Sequence, residues 1–203
     1  MKKILLGVTL AAAAGCAGLA THEDYDAKAA AMLKASFKEH GQAKLDRLDQ
    51  DEMQKACSGH NPEHPLDKSA AERIEKAQLA TIKYPAGRLL GDWKNGEKIA
   101  QSGVGMQYSD DPKAVAGGNC YACHQLTKAE VAFGTIGPSL YNFGKLRGNT
   151  PEMQRYAYGK VYNPDAFAAC SNMPRFGLHG ILSEQQIKDV VALLMDPESP
   201  VNK

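Results

Sequence analysis

Asn119-Cys120-Tyr121-Ala122-Cys123-His124 is the stretch on which the reading of the chain turns. Two cysteines separated by two residues and followed at once by histidine form the attachment motif of a c-type haem. The chemistry explains the spacing: two thiols must reach both vinyl groups of one porphyrin while the next side chain turns under the iron as proximal ligand. Cys120 and Cys123 are therefore the candidates for covalent attachment of one haem c, and His124 for the iron. Zinc and dithiol redox chemistry use similar residues. Zinc would want a fourth ligand in a matching cluster, and a redox pair a strand-to-helix setting; the flanking sequence offers neither.

Export suits such a cofactor. Met1-Lys2-Lys3 is a short positive end, Ile4 to Ala14 is apolar, and Gly18-Leu19-Ala20 resembles a small-residue cleavage site. Residues 1–20 read as a secretory signal too short to span a membrane, and no transmembrane segment is expected. Cleavage after Ala20 leaves 203 − 20 = 183 residues and removes Lys2, Lys3 and Cys16. Ala13-Ala14-Gly15-Cys16 is a second possibility, a weak lipoprotein signal with Cys16 as the lipidated residue. Ala stands three before Cys16 where Leu is more usual, so a soluble periplasmic chain is preferred. Both readings place the protein where haem attachment and disulfide formation are permitted.

Loss of two lysines takes the formal charge from +1 to −1, so no strong field draws nucleic acid or anionic membrane. Function must come from the site. The chain divides into a helical extension at 21–87 and a haem domain at 88–203, an all-α architecture. In the extension, spacing such as Tyr25, Ala29, Leu33 and Phe37 predicts helices over 24–39, 43–56 and 67–83, broken at Gly41, Asn61-Pro62, His64-Pro65 and Tyr84-Pro85-Ala86-Gly87. These bury too little to stand alone and are expected to pack on the haem domain or a partner. Cys57 to His64 superficially resembles a metal cluster, but Gly59, Pro62 and the Pro65 that follows make it a loop.

In the haem domain, Asp92 is a candidate N-cap for a helix to about Ser102 with Trp93, Gly96 and Ile99 on one face. Gly96 costs helix stability unless another helix approaches it closely, the alternative being a tolerated surface glycine. The expected approaching helix begins at Ser183 with Gln186 three residues on, a capping box. It carries an apolar stripe of Ile187, Val190, Val191 and Leu194 and stops at Asp196-Pro197. First and last helices crossing beside a haem describe a small class I-like cytochrome c domain. Between them lie a polar loop, Val104 to Gly118, and a helix from Thr150-Pro151 to about Tyr162. Within Ile136-Gly137-Pro138, the Pro138 carbonyl is the candidate acceptor that orients the His124 ring, against the plainer reading of a turn proline.

The sixth iron ligand is chosen among Met106, Met153, Met173 and Met195. Met153 and Met195 fall in predicted helices, where packing is the default, and Met106 precedes the haem motif by a short loop. Met173 lies in an irregular loop stiffened by Pro174 and is preferred, with His179 as its rival. A thioether favours ferrous iron and raises the potential, which suits electron transfer and fills the position an oxygen binder would leave open. With Cys120 and Cys123 on haem and Cys16 removed, Cys57 and Cys170 are an even pair in an oxidising compartment. They are expected to form a disulfide tying the extension to the Met173 loop, the competing reading being a reactive thiol.

Cys-Tyr-Ala-Cys-His at 120–124, Ile-Gly-Pro-Ser-Leu at 136–140, Val-Tyr-Asn-Pro at 161–164, Ser-Asn-Met-Pro-Arg-Phe-Gly at 171–177 and the ending Leu-Met-Asp-Pro-Glu-Ser-Pro-Val-Asn-Lys resemble SoxX. SoxX proteins are the haem c subunits of the SoxAX cytochromes of bacterial thiosulfate oxidation. The likeness covers about 88–203, and its methionine loop and C-terminal ending are more specific than the haem motif. It implies a heterodimer with a SoxA-type dihaem or monohaem subunit that carries the catalytic centre, an L-cysteine S-thiosulfotransferase. That enzyme joins thiosulfate oxidatively to a cysteine of the SoxYZ carrier. It further implies that this chain accepts the electrons through a His124/Met173 haem and passes them to a small cytochrome c. No catalytic residue is implied here. The alternative is a free-standing electron shuttle, which the bulky extension and near-neutral charge disfavour.

Overall fold

A computed structural model describes residues 24–59 and 65–203, and the expected signal segment, with Cys16 and Ala20, lies outside them. Two compact units divide the chain between residues 37 and 38. In the first, helix α1 (Tyr25–Ser36) starts at Asp24, whose carboxylate accepts the Ala27 N–H at 2.9 Å. It stops three residues short of the expected end. The Ser36 hydroxyl turns back onto the Met32 carbonyl at 2.7 Å and Phe37 is extended.

The second unit, 38–203, takes in the rest of the extension and the haem domain, so the boundary expected at 87/88 falls inside it. The single helix expected over 43–56 is instead a 3-10 turn, Leu45–Leu48, and a separate helix α2 (Glu52–Ser58). Asp51 causes the break. Its side chain and Gln54 form a reciprocal capping box, which requires extended backbone at Asp51 and so restarts the helix there. Helix α3 (Lys68–Leu79) begins on the Asp67 cap and ends before the expected residue 83, where the Thr81 hydroxyl bonds back to the Gln78 carbonyl at 2.7 Å. The segment Cys57 to His64 is described only to residue 59, and no cluster of three metal-binding side chains occurs among the described residues.

The remaining helices are α4 (Trp93–Gln101), α5 (Phe143–Arg147), α6 (Pro151–Tyr162) and α7 (Glu184–Met195). No strand occurs among the described residues, and none of their helices is long and apolar enough to cross a membrane. Short α5 escapes the periodicity argument, since one turn enclosed by Asn142 and Gly148 at positive φ carries no repeat.

Helices α4 and α7 cross as the glycine predicts. A Cβ on Gly96 would run into the Asp189 carbonyl oxygen, so only glycine permits this approach. Asp189, itself buried, accepts the Asp92 N–H at 2.9 Å, and the Gly91 N–H bonds to the Lys188 carbonyl at 2.9 Å. Ile99, Ala100, Ile187, Val190, Val191, Leu193 and Leu194 fill the seam and continue into Tyr158, Val161 and Val201. Full burial of side chains of this size contributes about 1.5–3 kcal/mol each before chain entropy is counted. This crossing is the rigid base on which the loops of the site stand.

Candidate functional site

Cys120–Ala122 forms one 3-10 turn entered through Asn119 at φ 44°. Its carbonyls are used locally: Cys120 O accepts from Cys123 N at 3.1 Å and from His124 N at 2.9 Å. The turn is anchored inward by buried Tyr121 and Leu126. Among the described residues Cys120 and Cys123 form no disulfide, whereas Cys57 and Cys170 are bridged, their Cα atoms 5.5 Å apart.

The loop after the motif folds over His124. Gly134 N bonds to Tyr121 O at 2.8 Å, Gly137 N to Cys123 O at 2.8 Å and Leu140 N to Gln125 O at 2.8 Å. This brings Gly137 against the imidazole so closely that a Cβ there would run into the ring. It also sets the Pro138 carbonyl oxygen 2.7 Å from His124 Nδ1. A carbonyl only accepts, so Nδ1 carries the proton and the Nε2 lone pair is left for a metal.

The donor set fits haem c better than either alternative. No other His, Cys, Asp or Glu among the described residues completes a metal cluster with Cys120, Cys123 and His124. Two neighbouring thiols beside an imidazole with one committed nitrogen are what thioether attachment and proximal ligation require.

The candidate methionines are distributed unequally. Met195 is fully buried in α7, and Met153 packs on the core from α6. Met106 is exposed on the 104–118 loop, which the extension grips: Gln42 Nε2 donates to the Gly105 and Gln107 carbonyls at 2.7 and 2.8 Å, and Arg47 Nη1 to Met106 O at 2.6 Å. Met173 is half-buried in an irregular loop and packs against the core cluster. His179 is exposed beyond that loop, and partial burial with the nearby Arg175 charge lowers its pKa.

Sequence reasoning overlooked what holds the Met173 loop. Asp165, 1% exposed, accepts the Ser171 N–H at 2.8 Å, and the Ser171 hydroxyl accepts the Met173 N–H at 3.2 Å. Arg175, 6% exposed, donates from Nη1 to Asp51 Oδ2 at 2.6 Å, and its Nε lies 4.0 Å from Asp165 Oδ2. On the far side of the bridge, Glu75 accepts the Ala169 N–H at 3.1 Å and Asn163 Nδ2 donates to Gln78 Oε1 and Thr81 Oγ1, each at 2.9 Å. An arginine next to a loop methionine was visible in 171–177; its partner, far away in sequence, was not.

Known proteins place the chain. A cytochrome c family profile matches residues 109–196, from the loop before the haem motif to the end of α7. An "Uncharacterized lipoprotein" of Aquifex aeolicus (strain VF5) is 44% identical over 162 residues, covering 76% of this chain and 73% of that protein. The crystal structure of SoxXA from P. pantotrophus matches over 53% of this chain and 82% of its own chain at 30% identity, with a TM-score of 0.37. Residues 109–196 belong to the cytochrome c family, an all-α, class I-like domain with covalently bound haem c as its cofactor.

Proposed function

We propose that the chain is the electron-accepting monohaem subunit of a SoxAX-type heterodimer, the thiosulfate-conjugating L-cysteine S-thiosulfotransferase. Cys120 and Cys123 hold the haem through thioethers, His124 is the proximal ligand oriented by Pro138, and Met173 is the distal ligand. The bound haem supplies one-electron chemistry at an iron whose potential a thioether raises. The Pro138 carbonyl would keep the His124 imidazole in one tautomer, and Met173 would supply the second protein ligand to the iron.

The observation that carries the haem assignment is the His124 to Pro138 pairing at 2.7 Å, and the subunit reading rests on the segments resembling SoxX in which that pairing lies. The Met173 loop and the C-terminal ending add to it, the latter forming a buried cap in which Asn202 Nδ2 donates to the Leu194 and Asp196 carbonyls at 3.0 and 2.9 Å. Expected partners are a SoxA-type subunit, which supplies the catalytic centre, the SoxYZ carrier, and a small cytochrome c that takes the electrons onward. The protein is exported to the periplasm. The name of the A. aeolicus relative favours Cys16 as a lipidated first residue over cleavage at Ala20, leaving 203 − 15 = 188 residues on a lipid anchor.

The test is affinity capture of the haem-loaded chain from a periplasmic and membrane extract of its source grown on thiosulfate. A stoichiometric second haem protein, with haem reduction dependent on thiosulfate and carrier, is the expected result. A chain that comes down alone and exchanges electrons freely with other cytochromes is a shuttle, and the subunit reading falls.

A further inference from the structure

The Met173 loop is placed by tethers as well as by the packing of Met173 on the core. Residues 170–175 have no regular structure, and a cleft of about 610 Å³ opens between them and α2, reaching Met53, Gln54, Met173 and Arg175. Both ends are fastened to α2 or its N-cap. Cys170, three residues before Met173, is bridged to Cys57 and held at φ 62°, a left-handed conformation uncommon for cysteine. Arg175, two residues after Met173, is paired with Asp51 at 2.6 Å while almost wholly buried. Asp165 lies 4.0 Å from Arg175 Nε on the other side, but Asp51 makes the short contact, and a buried guanidinium that loses that carboxylate is costly, so the pair favours one position of Arg175 and with it one position of the loop.

We propose that Asp51 is a positioning residue for Met173: acting through Arg175, and together with the Cys57–Cys170 bridge, it makes α2 a clamp that fixes the loop from which Met173 would ligate the haem iron. The proposal rests on Met173 being that ligand. It gives the extension a role inside this chain, independent of any partner.

Asp51 has two duties that one substitution separates. Oδ1 caps α2 by accepting the Gln54 N–H at 2.8 Å, while Oδ2 holds Arg175. Asn caps a helix about as well as Asp but loses the charge opposite Arg175. In the full-length, haem-loaded Asp51→Asn variant, added imidazole should displace the sulfur ligand from ferric iron roughly tenfold faster than in wild type, the factor that about 1.4 kcal/mol represents. The reduction potential should fall, and Asp51→Glu should recover part of both. A variant that only melts earlier, with wild-type imidazole kinetics and potential, overturns the clamp. Met173→Ala is the separate control. If it keeps the ferric sulfur-to-iron charge-transfer band, the ligand assignment itself is wrong and the proposal goes with it. Should Asp51→Asn fail to load haem, mild reduction of the bridge in folded wild type tests the same loop: faster displacement supports the clamp and an unchanged rate overturns it.

Discussion

His124 Nδ1 lies 2.7 Å from the carbonyl oxygen of Pro138, 14 residues along the chain. Proline contributes no N–H of its own there, and its fixed φ presents the carbonyl without competition from a local donor. The relationship depends on Gly137, because the imidazole lies where a Cβ of that residue would be.

Gly137→Ala should therefore act on the iron more than on attachment. The thioether positions are untouched, so haem stays covalently bound, while the displaced ring weakens proximal ligation. Overpacking of this kind costs about 1–3 kcal/mol. Absorption spectra of the purified variant check the point: normal haem content with a ferric spectrum shifted toward high spin is expected, and a wild-type spectrum would show that the ring is held by something else.

Cys57→Ser with Cys170→Ser removes a cross-link spanning 113 residues. On a chain-entropy account, closing a loop of that size contributes on the order of 4 kcal/mol, so the melting temperature should fall by many degrees. Calorimetry of the oxidised wild type and the double variant measures it. Thiol counting on the denatured, oxidised wild type should find neither cysteine free.

Much of this fold was legible because its signals are local. The Ser183/Gln186 box, the Thr150-Pro151 start and the glycine at 96 each state a requirement within one helix, and the helices obey them. The haem motif is equally local, a single turn. Less legible were features decided over distance or against periodicity. Asp51 interrupts an apolar pattern that continues past it, because its cap with Gln54 outweighs propensity over one turn. The partner of Arg175 stands 124 residues earlier, and no spacing rule reaches that far. The even number of remaining cysteines pointed across the same gap only because a disulfide needs two of one residue type, whereas an arginine has many carboxylates to choose from.

Gly96→Ala tests the helix crossing on its own. The added methyl meets the Asp189 carbonyl and then Leu193 Cβ at 3.0 Å, so α4 must move off α7. Alanine is the better helix former by about 1 kcal/mol, and the prediction is that the clash wins, with net destabilisation of about 1–3 kcal/mol in denaturant melts. A variant more stable than wild type would mean that the helices separate at little cost.

Asp165 and Asp51 flank the same arginine, yet their stability contributions should have opposite pH dependence. Burial raises the Asp165 pKa, with the Ser171 N–H and Arg175 opposing it only in part. Partial burial also pushes Asp51 upward, but the Gln54 N–H and Arg175 together outweigh it and hold the carboxyl below its ordinary range. The ordinary value is about 4. For Asp165, with the folded value above the unfolded one, the favourable contribution is complete below about 4 and is lost as pH rises through the folded value. For Asp51 it is complete above about 4 and is lost as pH falls through the lowered folded value. Acidifying from neutrality should first strengthen the fold through Asp165 and then weaken it through Asp51. Urea melts of wild type and Asp165→Asn at closely spaced pH values separate the two. The variant should lack the rise above about pH 4 and keep the loss below it. Equal slopes in the upper window would mean that Asp165 is ionised there at no cost and that Arg175 neutralises both carboxylates.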